Sequence, residues 1–367
     1  MLDDEIRFEG EGDMLNNLLD FTRGLDACQM RRAMEMMKVL VIHELRGPDE
    51  EPESCPHCGC ERIVKKGLQR GENGEATQRS ECKNCDRTFN KRTNGVLTQS
   101  KLAAWQWVRF VELMFRNAPL SECETACHVS EPTAHFMRLR LCQVMRNAVP
   151  AFTCGKGERL EIDGTYLNES FAGTGRRGVC VMPREAHKSG NDVRSRGISD
   201  MKVCVLCGAS ESGDIFVELC DRGRPTDKAL EATLNGKVEG ADVVTDALPG
   251  YERVLPRLGV GAHEAHKAGG VELARVNSLH KRLKDFLRPF NGVSTRYLDH
   301  YCWWFVYLEW VRRAGANRLD SMFELAATGR YFLTRSAIEA RQRPFWDYWE
   351  GRSPEIDAVS LYGDGAA

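Results

Sequence analysis

The chain has 367 residues, of which 42% are hydrophobic and 28% charged, enough for two or three domains with an ordinary buried core. No run approaches the roughly 18 to 20 apolar residues that span a bilayer, and the acidic start MLDDEIRFEGEGD lacks the apolar centre of a secretory leader. A membrane or secreted protein is therefore not expected, and the fifteen cysteines are read as reduced thiols or metal ligands of a cytoplasmic protein. The net charge of −2 hides a segregation, with acids crowding residues 1–22 and bases gathering in later stretches beside the motifs described next.

Leu15, Leu18, Leu19, Phe21 and Leu25, then Ala33, Met36, Met37 and Leu40, recur at helical spacing. They predict one or two helices broken near Gly24 and stopped by Gly47-Pro48. With the acidic linker that follows, they make residues 1–53 an N-terminal helical segment.

Residues 54–95 have poor periodicity and two Cys-x-x-Cys turns. Cys55-Pro56-His57-Cys58 is followed after 23 residues by Cys82-Lys83-Asn84-Cys85. Each turn aims two thiolates at one point, and two such turns complete a tetrahedral Zn²⁺ site with no open position, a site that folds a module and does no chemistry. His57 and Cys60 are possible substitutes that would break the symmetry of the pair. Basic residues outnumber acids in this zinc ribbon, and Lys65, Lys66, Arg79 and Arg87 are candidates for phosphate contact. Cys204 and Cys207 share the same spacing but lie in MKVCVLCG, which reads as a strand. Residues three apart on a strand face opposite sides, so these are core thiols.

Residues 96–150 predict a helix-turn-helix. Ser121 with Glu124 suits a capping box, and Ser130-Glu131-Pro132-Thr133 starts a second helix with Pro where its missing N–H costs nothing. That helix is expected to present Thr133, His135, Arg138 and Arg140 outward to a DNA major groove.

From Glu158 the texture changes to short β-rich runs. Three strands, a helix, a strand, a helix, a strand near 258–263 and a helix near 271–288 follow one another. That order is the order of an RNase H-like α/β layer domain, assigned to residues 151–295. Asp163 lies in the first run and Asp246 ends the fourth. In this topology the two strands are neighbours, which brings the carboxylates together as a site for Mg²⁺ or Mn²⁺. On the last helix Asn277, His280 and Lys284 share a polar face, while Val276, Leu279, Leu283 and Leu287 form an apolar stripe. Asn277 can offer a carbonyl oxygen as a third ligand and Lys284 can meet a phosphate. Glu161, two residues before Asp163, shares its strand face. Residues 172–200, glycine-rich and basic, read as a loop beside the site. Residues 296–350 predict a helical extension rich in Trp and Tyr, and 351–367 a disordered tail.

The motifs CPHC…CKNCDRTFN, EIDGTYLNESFAG, VVTDALPGY and VNSLHKRLKDFLRPFNGVSTRYLDHYCWWF resemble those of insertion-sequence transposases with an N-terminal zinc ribbon, related to the Merlin transposons. The resemblance runs from about Cys55 to Glu309. It implies an α/β protein with an RNase H-like catalytic domain, preceded by a zinc ribbon and helix-turn-helix, that binds element ends and performs two-metal cleavage and joining of double-stranded DNA. Its partners would be terminal inverted repeats, target DNA and further copies of the chain. The acidic pair carries over onto Asp163 and Asp246. Many relatives have Glu as third ligand with a Lys or Arg seven positions on. Here Asn277 and Lys284 have that spacing, with His280 the ligand if the helix is aligned one turn later. Gly164 departs from the Glu common at that position. A non-catalytic DNA-binding regulator descended from such an enzyme is the competing reading.

Overall fold

The computed structural model describes residues 25–31, 52–70, 76–91, 104–171, 202–266, 271–316 and 347–350, with isolated positions between them. The expectations for residues 1–24 and 32–51, for most of the 172–200 loop and for the tail lie outside the described residues. The chain divides into two compact units, Met1–Thr93 with Gln99–Glu112, and Asn94–Thr98 with Leu113–Ala367. Among the described residues no helix is long and apolar enough to cross a membrane.

The first unit is built on a three-stranded antiparallel sheet, β1 (Ile63–Arg70), β2 (Ala76–Cys82) and β3 (Thr88–Phe89). Among the described residues, one small apolar cluster joins this sheet to the cysteine turns: Cys55, Cys82 and Phe89, with Cys60, Ile63 and Cys85 packed against them. So small a cluster gives the cysteine turns little apolar burial against the entropy of ordering them, and a cross-link would add to it. Helix α1 (Ala104–Phe115) crosses from this unit into the next.

The second unit opens with α2 (Leu120–Cys127) and α3 (Glu131–Ala148). His128, at φ 52°, closes α2 in the left-handed conformation, and Pro132 sits in the first turn of α3, as its sequence suggests. The capping box expected on Ser121 is absent. Pro119 precedes the helix instead, and no side chain caps it.

A five-stranded sheet follows, in the order β6-β5-β4-β7-β8: β4 (Arg159–Asn168), β5 (Lys202–Ser210), β6 (Ile215–Arg222), β7 (Asp242–Asp246) and β8 (Ala262–His266). Strands β4, β5 and β6 are antiparallel neighbours, whereas β7 runs parallel to β4 and β8 parallel to β7. The first and fourth strands are adjacent, as expected. Strand β8 starts later than the 258–263 expected because Gly259 turns the chain at φ 69° and Gly261 packs so tightly that a Cβ would lie 2.7 Å from the Gly240 carbonyl. Helices α4 (Asp227–Leu234) and α5 (Pro249–Val254) cover one face, burying Leu160, Ile162, Leu206, Val243, Leu230, Leu234, Tyr251 and Val254. Fully burying one such side chain contributes roughly 1.5–3 kcal/mol.

Helix α6 (Ala274–Leu287) packs against β4 and β5. Its buried stripe is Val276, Leu279, Leu283 and Phe286. Phe286, not the half-buried Leu287, completes it, because its ring packs among Phe290, Trp304 and Phe305. Helix α7 (Leu298–Arg313) is buried nearly all round and packs on α3 and β6, and a last turn, α8, spans Asp347–Glu350.

Candidate metal centre and acidic site

The two cysteine turns have the same backbone. Gly59 and Asp86, each four residues after the first cysteine of its turn, have positive φ (70° and 54°) and donate their N–H to Cys55 and Cys82 carbonyls. The His57 and Asn84 amides donate to the Cys55 and Cys82 sulfurs at 3.4 and 3.3 Å. The four sulfurs of Cys55, Cys58, Cys82 and Cys85 all lie within 4.8 Å of one another, with Cys55–Cys85 at 3.7 Å and Cys58–Cys82 at 3.6 Å. Tetrahedral sulfurs on Zn²⁺ at about 2.3 Å stand about 3.8 Å apart, so the donor set fits that ion. A backbone hydrogen bond from Cys60 lowers the Cys58 thiol to about 7, toward the thiolate a metal takes. His57 is exposed and Cys60 serves the small core, so neither joins the four. Cys204 and Cys207 do point to opposite faces of β5. Cys204 lies beneath Gly164, where a Cβ would stand 2.9 Å from its sulfur, and Cys207 is paired with Asp163. The absence of a side chain at Gly164 follows from that contact.

Lys65, Lys66, Arg79 and Arg87 are all exposed, and Lys66 is also paired with Glu81.

Helix α3 requires a correction. Arg138 and Arg140, expected outward, are 1% and 7% exposed. Arg138 donates to the Ala118 carbonyl at 2.6 Å and to the Tyr301 hydroxyl at 3.2 Å, and its guanidinium lies 5.3–5.9 Å from the ring centres of Phe290, Tyr301 and Trp304. Arg140 donates to the Val96 carbonyl at 2.6 Å and covers the Phe136 ring. His135 is edge-on to Tyr297 at 4.9 Å and is held neutral by burial, its value lowered to about 4. Arg138 is drawn in by rings far away in sequence and Arg140 by the ring one turn before it, and each desolvated guanidinium gains cation–π attraction and a carbonyl acceptor together. Of the four expected readers, Thr133 and His135 are half-buried, and Thr133, beside the exposed first turn, is bonded to Ser130 at 2.9 Å.

The acids do converge. Asp163 and Asp246 follow the registered pair Ile162–Thr245 on adjacent parallel strands. Burial first, then the Asp246 carboxylate, raises Asp163 to about 6. Burial also raises Asp246, against the opposing pull of the Leu248 amide and Arg224. From α6, His280 reaches Asp163: Nε2 is 3.3 Å from its carbonyl oxygen and Nδ1 3.8 Å from Oδ2. Burial lowers His280 to about 4, so it is neutral. The exposed Lys284 favours the ionised form of Asp163. Asn277 is exposed, one turn before His280, and among the described residues it makes no hydrogen bond to either acid. Among the described residues the four cysteines are the one group whose ligand atoms all lie within 4.8 Å of one another, so the two acids and His280 are neighbours without closing to that distance.

Two features were not visible in the sequence. His266 is the register partner of Asp246, because β8 ends three residues beyond its expected end. The Glu161 carboxylate is bound to the start of α6, accepting from the Arg275 and Val276 amides at 2.7 and 3.1 Å and from the Arg275 guanidinium at 3.1 Å.

No protein-family model matches the chain. The chain is similar to a protein of Halobacterium salinarum described as an uncharacterized protein in transposable element ISH50, at 25% identity over 291 residues, covering 74% of this chain and 90% of that protein. The crystal structure of a pre-cleavage Mos1 transpososome aligns with 61% of this chain and 79% of its own at 13% identity, with a TM-score of 0.18. The protein is thus a mixed α/β chain with a four-cysteine cluster and two neighbouring strand acids, similar to a protein of a transposable element.

Proposed function

We propose that the chain is a DNA transposase with an RNase H-like catalytic domain that cleaves and joins DNA ends with Mg²⁺ or Mn²⁺. The observation that carries the reading is the pairing of β4 with β7, which sets Asp163 beside Asp246 beneath the helix bearing His280 and Lys284. The strand order and the kinship with a transposable-element protein support it. Asp163, Asp246 and a third donor on α6 hold the cations. His280 stands nearer than Asn277 for that place. Held by these residues, divalent cations would supply Lewis acidity to an attacking water or 3′-hydroxyl and to the leaving oxygen. Lys284 lies one turn beyond His280 and steadies a phosphate. Zinc folds the ribbon, whose exposed Lys65, Arg79 and Arg87 meet the DNA backbone. Two element ends are joined in one reaction, so the working form is an oligomer on DNA.

The test is a Mg²⁺- and Mn²⁺-dependent cleavage and strand-transfer assay on DNA carrying the element's ends. Asp163→Ala and Asp246→Ala should abolish both steps and leave DNA binding intact. A wild-type protein that binds the ends but never cuts them is a DNA-binding regulator.

A further inference from the structure

We infer that Glu161 is a positioning residue of the acidic site: its carboxylate caps α6 from β4 and fixes that helix, with His280 and Lys284, against Asp163. The inference rests on the proposed reading of that site. The first amides of a helix have no partner within it, and a buried start needs one supplied. The residue at the N-cap of α6 is Leu273, which has nothing to offer and is 1% exposed. Glu161, 3% exposed and 114 residues before Arg275, takes its place. Its Oε2 accepts the Arg275 and Val276 amides at 2.7 and 3.1 Å, and its Oε1 the Arg275 guanidinium at 3.1 Å. A carboxylate here also meets the positive end of the helix dipole.

The spacing makes this cap a gauge. Glu161 and Asp163 share one face of β4, about 6.6 Å apart along the strand. Arg275 and His280 are separated by about 7.5 Å of helix rise. The helix is therefore tied to one strand at two commensurate points, Arg275 to Glu161 and His280 to the Asp163 carbonyl. It can neither slide nor turn without breaking one of them. Glu161 touches neither acid and is committed to donors of α6, so it acts through the helix and not as a ligand.

The test uses the full chain with Glu161→Met and Glu161→Gln, and Asp163→Asn as the inactive control. Glu161→Met should speed hydrogen exchange at the Arg275 and Val276 amides and lower kcat for strand transfer by about 100-fold, leaving the DNA KM within about twofold. Gln keeps an oxygen for the amides and should recover to within about tenfold of wild type. Mn²⁺ affinity by calorimetry should follow the same order. Unchanged exchange in Glu161→Met removes the cap, and unchanged kcat with faster exchange leaves Glu161 a structural residue only; either overturns the inference. If Glu161→Met does not melt cooperatively, Glu161→Gln against wild type carries the same comparison. If wild type never cuts DNA, the transposase reading fails, and exchange with Mn²⁺ affinity then decides the positioning role alone.

Discussion

The His280 imidazole meets Asp163 twice, at the carbonyl oxygen through Nε2 (3.3 Å) and at Oδ2 through Nδ1 (3.8 Å). A carbonyl only accepts, so Nε2 carries the proton and the Nδ1 lone pair faces a carboxylate oxygen with no hydrogen between them. Two lone-pair donors turned toward one another are relieved by a cation. His280→Ala should therefore lower Mg²⁺-dependent strand transfer about 10- to 100-fold more than Asn277→Ala does. The reverse order in the same purified assay assigns the third ligand to Asn277.

Asp163 and His280 give opposite pH dependences. Asp163 is raised from 3.8 to about 6, chiefly by burial, so its contribution to stability is present below the unfolded value and is lost as pH rises through about 6. His280 is lowered from 6.5 to about 4, so its contribution is present above 6.5 and is lost as pH falls through about 4. Calorimetric melting of metal-free protein should show Asp163→Asn gaining on wild type between pH 4 and 7, by about 3 °C or more at pH 7. Mg²⁺ or Mn²⁺ should close that gap. A constant difference across this range means that Asp163 titrates as an ordinary acid.

Metal analysis should find about one zinc per chain. Cys82→Ser, or chelation, should remove it and abolish amide protection between Cys55 and Phe89, while the second unit melts as before. DNA binding should fall with the ribbon, and its affinity should drop steeply with added salt in wild type. Full protection without zinc would mean that the small core suffices.

Arg138→Met should lower the free energy of unfolding by about 3 kcal/mol, through loss of the cation–π contacts and the Ala118 carbonyl bond. At a temperature where the variant is folded, its DNA affinity should equal that of wild type. Denaturant titration and DNA binding on the same preparations separate the two effects. Weakened binding at unchanged stability returns Arg138 to the DNA-reading role suggested by its sequence.

Local signals carried far in this chain. The cysteine spacing led to the four sulfurs that converge, and the strand succession led to the neighbourhood of Asp163 and Asp246. Both depend on residues close in sequence or on the order of elements. Helix α3 was misread because Arg138 and Arg140 interrupt its apolar pattern, and the rings that enclose Arg138 lie some 150 residues away. Glu161 was legible only as a residue on the face of Asp163. Its commitment to α6 is a contact across 114 residues that no spacing rule reaches. The sequence holds Asn277 and His280 on one face of α6, one turn apart, so it leaves the third donor open between them.

The enclosure of Arg138 also sets an order of folding. Helices α2 and α3 leave the ribosome early, but Phe290, Tyr301 and Trp304, on which they close, come more than 140 residues later. Until α7 emerges, the pair is a helical hairpin without its far wall, and the five strands of the sheet are made in the interval. Such a nascent chain keeps apolar surface open for many seconds at ordinary synthesis rates. Non-local closure of this kind slows folding, and the arrival of α7 becomes the step that encloses Arg138.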